Sequence, residues 1–82
     1  MSNDLPLSIP TASATIEITL NGTARTVRAA LSLDGLIDEL APPSTQGMAV
    51  AVNDAVVPRA RWPEHCLKAH DVVEIVRAVR GG

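Results

Sequence analysis

The chain has almost no aromatic residues: no phenylalanine, no tyrosine and a single tryptophan, Trp62. Stacking of bases on aromatic side chains is thereby excluded as a main recognition device. An excess of one charge sign is missing too. Seven basic residues stand against nine acidic ones, a net charge of −2, and the Arg and Lys are scattered rather than clustered. Such a distribution leaves no electrostatic footprint for nucleic acid or an anionic membrane. The one cysteine, Cys66, has no internal disulfide partner. No apolar run approaches the ~20 residues of a membrane span or carries the basic flank of a signal peptide. These absences read as a soluble, intracellular protein, expected in the cytoplasm, with neither nucleic acid nor membrane among its partners.

What is present is enough for one small domain. At 82 residues the chain is near the size where only about 60% of the unfolded surface can be buried, so stability must come from a single compact core. That core is built from Val, Leu, Ile and Ala.

Residues 1–13 (MSNDLPLSIPTAS) hold two prolines and several small polar residues without a sustained period. This argues for a flexible N-terminal arm ahead of a domain over residues 14–79. Two β-rich runs, ATIEITL and TARTVRA, flank Asn21-Gly22, a dipeptide that accepts positive φ at both central positions of a type I′ turn. The pair predicts a hairpin. Ile16, Ile18 and Leu20 alternate with Thr15, Glu17 and Thr19, giving the first strand one apolar and one solvated face.

In SLDGLIDELAPP, Leu33, Leu36, Ile37 and Leu40 fall at i, i+3, i+4 and i+7, the stripe of an amphipathic helix. Ser32 is a fitting N-cap, Asp34 suits the positive end of the helix dipole, and Pro42-Pro43 cannot continue the helix. The helix is therefore about two turns long. Gly35 inside it costs roughly 1 kcal/mol against Ala, which tertiary packing must offset. After a polar loop, MAVAVN reads as a strand and VVP as a brief edge segment ended by proline. RARWPEHCLKAH has turn and irregular-helix character, and DVVEIVRAVR is the longest β-rich run.

A hairpin, a helix, then two or three further strands is the order of a β-grasp, or ubiquitin-like, arrangement. The expected fold is α+β: a mixed four- to five-stranded sheet with one main helix packed on one face. The first and last strands are then parallel neighbours in the middle of the sheet. Val73, Ile75 and Val79 are expected to face the helix, and Val72, Glu74, Val76 and Ala78 to lie outward. That outer strip is unusually apolar and forms a candidate docking surface, with Arg77 beside it. Beyond it the sequence stops at Arg80, Gly81 and Gly82, read as a mobile tail over residues 80–82. At average glycine usage two terminal glycines arise by chance roughly once in 200 chains, which directs attention to the carboxylate itself.

Taken together, the Asn-Gly hairpin, the AVAVN strand, VVPRxxW and the closing EIVRAVRGG resemble the ThiS family, the ubiquitin-like sulfur carriers of bacterial thiamine biosynthesis. The resemblance covers residues 14 to 82. Family members commonly carry Asp-Gly-Asp before the last strand, where this chain has Ala69-His70-Asp71; if φ is positive there, His implies a small local strain. The small subunits of molybdopterin synthase also end in Gly-Gly but typically lack VPRxxW, and they rank second. A non-covalent β-grasp interaction module is the other alternative.

The resemblance implies a chemistry. The chain would be no enzyme but a protein substrate: an E1-like adenylyltransferase of the ThiF type, using ATP and Mg²⁺, adenylates the Gly82 carboxylate. A persulfide sulfur donor then yields a C-terminal thiocarboxylate, which delivers sulfur to a thiazole synthase of the ThiG type. No cofactor is expected to be permanently bound, and no metal. Arg77 and Arg80 read either as charges that steer an acidic groove or as solvated strand-edge residues. Cys66 is expected to pack in apolar company, and a metal site at His65, Cys66 and His70 lacks a fourth ligand and standard spacing. Trp62 is expected to cover one end of the core, Asn53 to make a turn contact, and Arg59 a surface pairing.

Overall fold

The computed structural model describes residues 14–77. The N-terminal arm (residues 1–13) and Ala78, Val79, Arg80, Gly81 and Gly82 lie outside the described residues.

The hairpin forms as its turn residues dictate. Strands β1 (Thr15–Leu20) and β2 (Thr23–Arg28) pair antiparallel from Thr15↔Arg28 to Leu20↔Thr23. Asn21 and Gly22 both take positive φ, 49° and 84°, as a type I′ turn requires. Asn21 also ties the turn to the last strand: its Oδ1 accepts from the Ile75 N–H at 2.8 Å, and its own N–H donates to the Val73 carbonyl at 2.9 Å.

Helix α1 (Leu33–Leu40) starts at Ser32, whose Oγ accepts from the Gly35 N–H at 3.0 Å. The Leu33 and Asp34 N–H groups donate to the carbonyls of His65 and Trp62, at 2.9 and 3.2 Å. Chain, rather than ligand, therefore satisfies this helix N-terminus. The helix ends at Ala41, left-handed at φ 48° and ψ 53°, whose N–H reaches the Ile37 and Asp38 carbonyls. Leu33, Leu36 and Ile37 are buried, whereas Leu40, the fourth residue of the stripe, is 37% exposed in the final turn. Gly35 is a packing position: a Cβ there would stand 2.7 Å from Leu31 Cδ1, and Leu31 is buried. The close approach explains the helix propensity given up.

Strands β3 (Met48–Val52) and β4 (Ala55–Val57), a 3₁₀ turn at Arg59–Arg61 and strand β5 (Val72–Arg77) follow. The sheet order is β2-β1-β5-β3-β4. β1 and β5 run parallel through Thr19↔Val72 and Leu20↔Val73, while β3 is antiparallel to both β5 and β4. This mixed five-stranded sheet with α1 on one face is the β-grasp arrangement that the element order predicts. Ile18, Val50 and Val73 from the strands close against Leu33, Leu36 and Ile37 in one apolar cluster. Trp62 joins it, 2% exposed, with its single polar atom matched by Nε1–H donation to the Val57 carbonyl at 2.9 Å.

Cys66 departs from expectation: it is a free, exposed thiol. Its neighbour Leu67 takes the inward position, 2% exposed, and donates its N–H to the Leu31 carbonyl at 2.8 Å. The isolated bridge Ser32↔Cys66 holds this stretch extended, so adjacent side chains point opposite ways and Cys66 turns out.

Candidate functional site

Strand β5 has two faces set by its period of two. Val73 is fully buried and Ile75 half-buried toward α1, while Val72, Glu74 and Val76 are exposed on the other side. Neighbouring strands widen that outer strip. Ala49 stands opposite Val76 and Ala51 opposite Glu74, and Val56 of β4 stands opposite Ala51. Val56 and Val76 are the most exposed large apolar residues described, at 74% and 62%. Glu74 thus sits among alanines and valines. Val57 is buried, and Val56 beside it on β4 points the other way.

Arg77 does not share this face. By alternation it belongs to the helix side, and its Nη2 donates to the Ser44 carbonyl at 2.6 Å. The remaining positions singled out for function, Ala78, Arg80, Gly81 and Gly82, lie outside the described residues.

The start of β5 is held by a polar network. Asn53, in the β3–β4 turn with φ 51°, donates from Nδ2 to Asp71 Oδ1 at 3.0 Å and accepts the Val72 N–H on Oδ1 at 2.9 Å. Asp71 Oδ2 accepts the Lys68 N–H at 2.9 Å. His70 has φ 71°, the left-handed conformation that carries strain for a side chain with a Cβ, and donates its N–H to the Glu17 carbonyl at 2.7 Å. Arg59 makes the surface pairing expected of it. Its Nη1 donates to Thr45 Oγ1 at 2.7 Å and its Nη2 to the Thr45 carbonyl, while its Cζ lies 4.8 Å from the centroid of the Trp62 ring.

Among the described residues no group of three or more His, Cys, Asp or Glu could hold a metal ion, and no helix is long and apolar enough to cross a membrane. A hollow lined by Arg61, Glu64 and His65 encloses about 130 Å³, well short of a small-molecule or cofactor pocket. The described residues thus offer an exposed apolar surface on the outer face of β5 and β4.

The model of the ThiS family matches residues 18–82. The chain belongs to the ThiS family. Its fold is similar to the crystal structure of the thiamine biosynthesis protein (ThiS) from Geobacter metallireducens, with a TM-score of 0.72 and 26% identity over 82% of this chain and 100% of that one. An NMR solution structure of a thiamine biosynthesis protein from the same organism superposes with a TM-score of 0.66 at 28% identity, over 82% of this chain and 88% of that one. No curated protein sequence matches. The ThiS match takes in the VVPRxxW stretch, the outer strip of β5 and the closing Gly81-Gly82; the first 17 residues fall before it.

Proposed function

We propose that the chain is a sulfur carrier of thiamine biosynthesis, a protein substrate whose reacting group is the Gly82 carboxylate. The observation that carries this reading is the family match, which runs through Gly81 and Gly82. A free carboxylate is a poor electrophile and must be activated. An E1-like adenylyltransferase of the ThiF type, using its own ATP and Mg²⁺, transfers AMP to a Gly82 oxygen and releases pyrophosphate. The terminal sulfur of a persulfide donor attacks the acyl carbon, and AMP leaves. A thiol then supplies two electrons to cleave the acyl disulfide and free the thiocarboxylate. Its nucleophilic sulfur passes to a thiazole synthase of the ThiG type. The same reading assigns the chain to the cytoplasm, where ATP and reduced thiols are at hand.

The chain's own part is to present that end. Glycines bring no side chain to a narrow channel and accept backbone angles denied to other residues. Residues 79–82, if extended, span about 13 to 14 Å. That reach lets the body stay docked outside while the carboxylate enters. The outer face suits the docking: Val72, Val76 and Val56 offer apolar area, and Glu74 among them calls for a cationic group on the partner.

Steady-state adenylation tests the docking half. Val76→Asp is expected to raise KM by about tenfold while leaving kcat near its starting value, as a purely docking contact should. An unchanged KM would remove this face from the reading.

A further inference from the structure

Two arginines far apart in sequence grip one short stretch of backbone. Arg77 donates from Nη2 to the Ser44 carbonyl at 2.6 Å. Arg59 takes the next residue, Thr45, at both its hydroxyl and its carbonyl. Arg59 is itself fixed over the ring of Trp62, and Trp62 is buried and hydrogen-bonded. The gripped stretch is the loop between α1 and β3, which bends through left-handed Ala41 and Gly47 at φ 48° and 75°. It adds bonds of its own, Gln46 N–H to Ser44 Oγ at 3.0 Å and Met48 N–H to the Thr45 carbonyl at 3.1 Å. Met48 then pairs with Arg77 across β3 and β5. The backbone of Arg77 and its side chain thus reach the same loop by two routes. A planar guanidinium with a fixed fork of donors sets direction as well as distance, so the loop and the last pair of β5 are held as one body.

We propose that Arg59 and Arg77 are positioning residues for the C-terminal carboxylate: their shared grip on Ser44 and Thr45 fixes the direction in which the chain leaves β5. This rests on the carrier reading. Gly82 lies five residues past Arg77, so movement of that root adds to the space the carboxylate can occupy. Freeing the root widens the volume the carboxylate explores, and returning it to a near-attack position costs the entropy the grip had already removed. The docking surface lies on the opposite face of the sheet. Loss of the grip therefore acts on the reacting complex rather than on its formation.

The test uses the full chain with Arg59→Gln, Arg77→Gln, the double variant and Arg77→Lys, each checked for folding by Trp62 fluorescence at the assay temperature. In adenylation assays each Gln variant lowers kcat on the order of tenfold with KM close to wild type. The double variant is no worse than Arg77→Gln, because both residues act through one loop. Arg77→Lys recovers part of the loss, since its ammonium can still donate to the Ser44 carbonyl but lacks the planar fork. An unchanged kcat in Arg59→Gln, or additive losses in the double variant, would overturn the proposal and leave Arg77 as a direct partner contact. Amide hydrogen exchange supplies a readout independent of any enzyme: Met48 exchanges faster in each Gln variant while Val50 in the core does not. Unchanged exchange at Met48 overturns the grip itself. Faster exchange in a chain that no adenylyltransferase accepts would leave the grip standing and remove the carrier reading, and the positioning role with it.

Discussion

Asn53 and Asp71 are joined side chain to side chain, Asn53 Nδ2 donating to Asp71 Oδ1 at 3.0 Å across 18 residues of sequence. The bond couples the β3–β4 turn to the first residue of the approach to β5. Asn53 also accepts the Val72 N–H at an exposed position, where water can replace it, but Asp71 is only 9% exposed, so removing the amide leaves its Oδ1 without this donor. Asn53→Ala is predicted to cost about 1 to 2 kcal/mol. Urea unfolding followed by Trp62 fluorescence measures it, and a loss below about 0.5 kcal/mol would show that water replaces the network freely.

Gly35→Ala sets two effects against each other. Alanine gains roughly 1 kcal/mol of helix propensity, but its Cβ meets Leu31 Cδ1 at 2.7 Å, the end of a buried side chain that must shift to admit it, and overpacking costs about 1 to 3 kcal/mol. The expected result is net destabilisation of up to ~2 kcal/mol. Leu31→Val in the same chain should relieve part of it, so that the double variant is more stable than the sum of the singles requires. Simple additivity would mean that the two positions do not collide.

His70→Gly should stabilise the fold. A left-handed residue with a Cβ costs roughly 1 to 2 kcal/mol, and glycine gives back part of that through its greater freedom when unfolded. The N–H donated to the Glu17 carbonyl is retained by any residue other than proline. A gain of about 0.5 to 1 kcal/mol in urea unfolding is expected, and a loss would show that the imidazole makes a compensating contact.

Much of the architecture was legible because its signals are local. Asn21-Gly22 specifies its own turn, and Leu33, Leu36 and Ile37 announce a buried stripe wherever the helix lands. The two faces of β5 follow from a period of two, and its central place from the element order. Contacts between distant residues were not legible. Nothing in the sequence near Arg77 points to Ser44, 33 residues earlier, so Arg77 was grouped with a face it does not share. Cys66 fell in a segment without any period, where the neighbour that wins the inward position is decided by Leu31. Gly35 showed its propensity cost but not the methyl group that imposes it.

The carrier reading stands or falls at the Gly82 carboxylate. The most direct measurement is intact mass spectrometry of the full chain after incubation with ATP, Mg²⁺, a ThiF-type adenylyltransferase, a persulfide donor and a thiol. The account predicts the mass gain of one oxygen-to-sulfur exchange, confined to the C-terminal peptide and absent from a chain lacking Gly82. An unchanged mass, with an enzyme shown to activate another carrier in the same mixture, would contradict it and leave the outer sheet face as a non-covalent binding surface.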